Sequence, residues 1–222
     1  MLVDRIARGQ WRLGELLPAE NALAEELSVS VGTLRKALEL LESGHIITRQ
    51  QGRGTFVADY ANSGMMLRFN PFRAADGSLL HGPPVLLEQV QAVATVTEVA
   101  RLGLTEGQTV LRCRSLRCRD DVPYMLEQTV KPAHRFPQLG APPLPKDCEI
   151  LALAQSHGIV VGRIAERVRA LATPPDVAGA LNLAEGTPII ELDRTTHDVN
   201  GEIIEWRLSW CDLGDGWYAQ DR

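Results

Sequence analysis

The chain has 222 residues, 45% of them hydrophobic and 23% charged, with a formal net charge of −5. That is room for one large or two small globular domains. No stretch is long and apolar enough to span a bilayer and no secretory signal opens the chain, so a membrane span is excluded and a cytoplasmic location expected.

The four cysteines, Cys113, Cys118, Cys148 and Cys211, have no C-x-x-C spacing and no neighbouring histidine partners. This argues for reduced thiols and against a zinc site or a disulfide frame. Charge is uneven: residues 1–58 carry seven Lys/Arg and seven Asp/Glu, while residues 59–222 carry 16 against 21. Within Ser28–Phe56 four basic residues, Arg35, Lys36, Arg49 and Arg53, face two acidic ones. A locally positive face on an acidic chain suits a module that touches a polyanion.

In chain order, "DRIARGQW" reads as the end of a helix that Gly9 stops. "LPAENALAEELSV" places Leu23 and Leu27 on one helical face, with Pro18 just ahead. Ser30 suits an N-cap, and Leu34, Ala37, Leu38 and Leu41 recur with the period of an amphipathic helix. Gly44 is expected to end that helix as a left-handed cap. "HIITRQ" and "GTFVAD" then read as a hairpin around "QGRG". Helix, turn, helix and hairpin make a winged helix-turn-helix. Thr33, Arg35 and Lys36 point away from the leucine stripe, free for a DNA groove, and Arg53 stands at the tip between Gly52 and Gly54.

Residues 59–84 are aperiodic and rich in Gly, Pro, Asn and Ser, so they read as a linker, with "MMLRF" as a candidate edge strand. The remainder holds an internal duplication. "TEVARLGLTEGQTVLRCRSLRCRDDVPYMLEQ" resembles "PDVAGALNLAEGTPIIELDRTTHDVNGEIIEWR", with Glu127 matched to Glu205. Each copy reads as a helix, a turn and two strands, and together they make one antiparallel sheet with helices on one face, an α+β domain. In the first strand, parity puts Arg117 and Arg119 on the Leu111 face. Either a bulge near Ser115 turns them out, or an arginine points into a pocket opposite Glu127 and Glu205.

The run "LPAENALAEELSVSVGTLRKALELLESGHIITRQQGRGTFV" resembles the DNA-binding domain of the GntR family of bacterial transcription regulators. The second half resembles the UTRA effector domain of the HutC subfamily, which has a chorismate-lyase-like fold. The resemblance implies a winged helix-turn-helix over residues 1–58, a linker over 59–84, and an effector-binding and dimerisation domain over 85–222. It implies a homodimer on a double-stranded DNA operator, most simply a repressor, whose DNA affinity a small polar or anionic molecule alters. Asn21, Ser30, Gly32, Thr33, Arg35 and Lys36, with Gln51, Gly52 and Arg53 of the wing, would contact DNA. Arg117, Glu127 and Glu205 would contact the effector, which stays open between a urocanate-like acid, a sugar phosphate and an amine.

The sequence departs from the family pattern in four places. Met1 falls inside the family's first helix, so a truncated helix is expected, and Val31 stands where many members carry arginine. Ser115 replaces the first arginine of the effector motif, and Cys148 falls near a frequent serine, both of which weaken a sugar-phosphate reading. The rival reading is an enzyme, because the UTRA fold is shared with a lyase. It finds no nucleophile–base pair, no metal spacing, no phosphate-cradling glycine loop and no cofactor motif. A DNA binder without an effector is the third reading.

Overall fold

A computed structural model describes residues 1–44, 46–59, 70–80, 82–137 and 149–219. "MMLRF" and Cys148 lie outside the described residues.

The N-terminal head runs α1 (Leu2–Ala7), α2 (Glu20–Glu26), α3 (Val31–Ser43), β1 (Ile47–Gln50) and β2 (Gly54–Val57). Leu34, Leu38 and Leu41 of α3 are buried with Leu23, Ile47 and Val57 in one core. Ser30 caps α3: its Oγ accepts from the Thr33 backbone N–H at 3.1 Å. The other end differs from expectation. Gly44 has φ −79°, so the helix does not end in a left-handed cap. Gly44 instead donates its N–H to the Leu40 carbonyl at 3.0 Å, continuing the helical pattern.

β1 and β2 pair antiparallel, Ile47 opposite Val57, and Leu16 bridges Phe56 on the far side of β2. Gly54 at the wing tip has φ +113°, and its Cβ would sit 2.6 Å from Leu16 Cδ1. The positive φ requires glycine there, whereas the exposed Leu16 side chain can swing aside.

The second domain is a six-stranded antiparallel sheet in the order β4-β5-β6-β9-β8-β7. Its strands are β4 (Pro84–Val93), β5 (Thr109–Arg119), β6 (Val122–Pro132), β7 (Val161–Ala172), β8 (Pro188–Asp198) and β9 (Ile203–Cys211). α4 (Val96–Leu102) precedes β5 and α6 (Pro175–Leu181) precedes β8, so the repeated unit is strand, helix, hairpin. Both helices cover one face: Leu102 packs on Val110 and Val130, while Val177 and Leu181 pack on Leu126 and Ile189. The other face is not bare. α5 (Ile150–Ser156) covers part of it against Leu111, Cys113 and Ile204.

Part of the expected linker belongs to this domain. β3 (Phe72–Arg73) pairs antiparallel with β10 (Trp217–Tyr218), and Phe72 and Leu80 are buried against Tyr124, Met125, Leu192 and Cys211. Its low periodicity hid two apolar anchors that a two-residue strand does not space regularly.

The hairpins correct the register of the repeat. Tyr124 bulges between the pairs Arg117–Met125 and Cys118–Pro123, and Ile204 bulges between Thr196–Glu205 and His197–Ile203. Bulge matched to bulge, Glu127 corresponds to Arg207, and Glu205 to Met125. The matching of Glu127 to Glu205 is therefore out by two residues, one of which comes from the longer loop of the second hairpin, Val199–Gly201 against Asp120–Asp121. A slip of two keeps every side chain on the same face.

Gly54→Ala is expected to loosen the wing, with the Leu17 and Val57 amides, bonded to Thr55 and Glu15, exchanging about tenfold faster with solvent. Hydrogen exchange read by mass spectrometry checks this, with the second domain as the unchanged control.

Candidate functional sites: a nucleic-acid interface and a charged cavity

The head presents one polar surface. Asn21 is exposed at the start of α2; Ser30, Gly32, Thr33, Arg35 and Lys36 are exposed at the start of α3; Gln51, Gly52 and Arg53 are exposed at the wing tip. The leucine stripe forces this, since burying positions 34, 38 and 41 turns 33, 35 and 36 outward. These side chains are not equally free. Ser30 and Thr33 share a hydroxyl contact of 2.8 Å. Arg35 Nε donates to Glu20 Oε2 at 2.6 Å. Lys36 has no hydrogen bond or ion pair among the described residues. Arg53 lies over the Phe56 ring, 5.9 Å from its centroid, which stiffens an otherwise solvated side chain.

Glu20 was not singled out from the sequence, yet it organises this surface. It also lies 3.7 Å from Arg49 of β1, so one carboxylate on α2 touches both α3 and the wing. Arg49 is a further basic group on this side, 3.6 Å from Glu42. The sequence signal for Glu20 was its place beside Asn21; its partners lie too far along the chain for periodicity to reveal.

The second site lies on the α5 face of the sheet. A cavity of about 110 Å³ is bordered by Arg117, Tyr124, Glu127, Glu149, Glu166, Arg194 and Arg207, with Phe72 and Leu192 among its apolar walls. Parity settles the Arg117 question. Arg117 shares the inner face with Cys113 and Ser115, and Arg119, the last residue of the strand, is exposed beside the turn.

Arg117 Nε donates to Glu127 Oε2 at 2.8 Å, Nη1 donates to the Gly82 carbonyl at 2.9 Å, and Nη2 donates to Glu149. Gly82 is placed by necessity, since a Cβ there would lie 2.2 Å from the Cys118 carbonyl oxygen. Arg207 was not foreseen and is the hub. Its Nη1 donates to Glu127 Oε1 at 2.8 Å and its Nε to Glu205 Oε1 at 3.1 Å. Glu205 also meets Lys131 at 2.9 Å, with both side chains fully buried. Arg117 and Glu127 therefore border the cavity together, whereas Glu205 is sealed behind Arg207 and does not line it. At the other end Arg194 Nε donates to Glu166 Oε2 at 2.5 Å, and the Tyr218 hydroxyl donates to Glu166 Oε1 at 2.7 Å.

The electrostatics follow from these contacts. Burial alone would push the Glu127 carboxyl up, but the Arg207 and Arg117 guanidiniums outweigh it and hold it down at about 2. Burial opposes the charged form of Glu205 likewise, and Arg207 and Lys131 keep it below the usual carboxylate range. Burial raises the Tyr124 hydroxyl, so it stays protonated. A carboxylate whose folded value is depressed stabilises the fold above its unfolded value and ceases to do so as pH falls through the folded one. The second domain is thus expected to lose stability as pH drops from about 4.5 towards about 2. Glu127→Gln should lower stability by about 3–5 kcal/mol at neutral pH and flatten that acid slope. Urea unfolding read by Trp206 and Trp210 fluorescence across pH checks both.

The two domains match known families. A family described as bacterial regulatory proteins, gntR family, matches residues 1–57, and the UTRA domain matches residues 85–213. The chain is 26% identical over 215 residues to the mannosyl-D-glycerate transport/metabolism system repressor MngR of Escherichia coli strain K12, spanning 96% of this chain and 88% of that protein. The crystal structure of PhnF from Mycobacterium smegmatis superposes with a TM-score of 0.57 at 26% identity, covering 96% of this chain and 93% of PhnF. The possible transcriptional regulator YydK of Bacillus subtilis shares the fold, with a TM-score of 0.60 at 16% identity over 100% of this chain and 99% of that one. A winged head with a polar recognition helix, joined to a sheet domain with a charged cavity, thus carries both family signatures, and the chain belongs to the GntR family of bacterial transcription regulators, in its UTRA-bearing HutC branch.

Proposed function

We propose that the chain is a cytoplasmic, homodimeric repressor that leaves its operator when a small polar molecule occupies the cavity of the sheet domain. The observation that carries this reading is the pairing, in one chain, of an exposed basic head with a distant polar cavity. It is a regulator, as are its named repressor relatives, and not an enzyme. No helix among the described residues is long and apolar enough to cross a membrane.

On this reading the first turn of α3 enters the major groove and the wing tip reaches a minor groove or phosphate. Asn21, Ser30, Gly32 and Thr33 approach the backbone or base edges at the groove floor. Arg35 must exchange Glu20 for DNA or hold both, so part of its attraction is already spent. Lys36 and Arg53 are the less encumbered cations. Gln51 and Gly52 let the tip approach closely. The sheet domain binds the effector through Arg117 and Glu127 at the cavity wall, with Glu205 acting from behind through Arg207. Arg117 is structural as well, because its removal would leave two carboxylates undercompensated.

Arg53→Ala is expected to weaken binding to an operator selected from random duplexes by about 1–3 kcal/mol, and unchanged affinity at fixed salt would retire the wing contact. Lys36→Ala should weaken selected and random DNA alike and lower the log–log salt slope by about 1. Fluorescence anisotropy over a salt series measures it; lost discrimination with unchanged random binding would make Lys36 a base reader. Both rest on the fold being intact, which far-UV circular dichroism of each variant checks.

A further inference from the structure

The cavity wall is charged but has no net charge among the described residues. Three arginines border it, Arg117, Arg194 and Arg207, and three carboxylates, Glu127, Glu149 and Glu166. Each arginine is already engaged: Arg117 by Glu127 and Glu149, Arg207 by Glu127 and Glu205, Arg194 by Glu166. The one further cation behind the wall, Lys131, is held by Glu205. One polar group is different. Tyr124 borders the cavity, its residue is 6% exposed, and its hydroxyl, closed to water, has no hydrogen-bond partner among the described residues.

We propose that this cavity takes a small polar molecule without net charge, such as a zwitterion or a polyol, and not a phosphate or other dianion, and that the Tyr124 hydroxyl is one of its contacts. The proposal rests on the reading of the cavity as the effector site. A dianion would have to share an arginine that a carboxylate already holds, and it would add two negative charges to a buried wall whose charges already balance. A molecule with balanced donors and acceptors leaves the ion pairs in place, or replaces one with a pair of its own. The cavity of about 110 Å³ has room for something near the size of an amino acid or a short polyol. A buried hydroxyl with no partner is a cost in the free protein, and a ligand atom in the cavity removes it.

The test uses the full chain, with titration calorimetry and thermal shift against three sets of probes. One holds the amino acids and glycine betaine, one holds three- to six-carbon polyols and unphosphorylated amino sugars, and one holds inorganic phosphate, glycerol 3-phosphate and glucosamine 6-phosphate. At least one uncharged or zwitterionic probe is expected to bind, and the first two sets separate the two sources. Tyr124→Phe should weaken that binding about fivefold, yet leave the free protein as stable or more so, because it deletes an unpartnered hydroxyl. Binding by the phosphates alone, or by none of the probes, overturns the proposal. A destabilised Tyr124→Phe with unchanged ligand affinity overturns the tyrosine contact. Anisotropy on the selected operator keeps the two readings apart. If a phosphate ester binds and releases DNA, the charge class fails but the effector site stands. If an uncharged probe binds in the cavity and DNA affinity does not move, the charge class stands and the effector reading fails.

Discussion

The contact on which the sheet domain depends is the buried ion pair between Glu127 and Arg207. These residues occupy corresponding places in the two copies of the repeat, and they meet across its centre, where Gln128 faces Leu208. Had both copies kept the same residue there, two like charges would share a site closed to water, which neither burial nor geometry could relieve. Opposite charges resolve it, and each has further partners: Arg117 on Glu127, and Glu205 with Lys131 beside Arg207. The centre of the inner face is thus held by charge, with apolar clusters on either side of it.

Much of the head was legible in the chain because its signals are local. The leucine spacing of α3, the serine that caps it and the glycines of the tip each act within a few residues of themselves, and the structure places them as read. Gly44 shows the limit. A glycine after a helix satisfies several geometries, and here φ is negative, so no left-handed cap forms. Glu20 shows another, since its hold on Arg35 and Arg49 depends on how two helices and a strand cross.

In the sheet domain the sequence carried the repeat and the inward arginine but not the hub. Residue identity drew Glu127 and Glu205 together as a match, when the pairing of the strands makes Glu127 and Arg207 the counterparts. Two residues of slip preserve the face, which is why Arg117, Glu127 and Glu205 still fall in one network even though Glu205 lies behind the wall. Glu149 and the Arg194–Glu166 pair were invisible for a different reason. They come from a helix start and two outer strands that nothing local ties to β5.

α5 and the turn after it touch both the cavity and the head. Glu149, the residue before it, holds Arg117 at the cavity, and Ile150 and Leu151 form part of the wall. At its far end the chain passes Gly158, whose Cβ would lie 3.6 Å from the Ala7 carbonyl of α1, and Val160 packs into the same core as Ile6, Leu34 and Leu38. The helix is seven residues long, too short to stand alone, so its position is set by the packing of Ile150, Leu151, Leu153 and Ala154 on the sheet. The segment from Glu149 to Val160 thus joins Arg117 at the cavity wall to the packing of Val160 under α3.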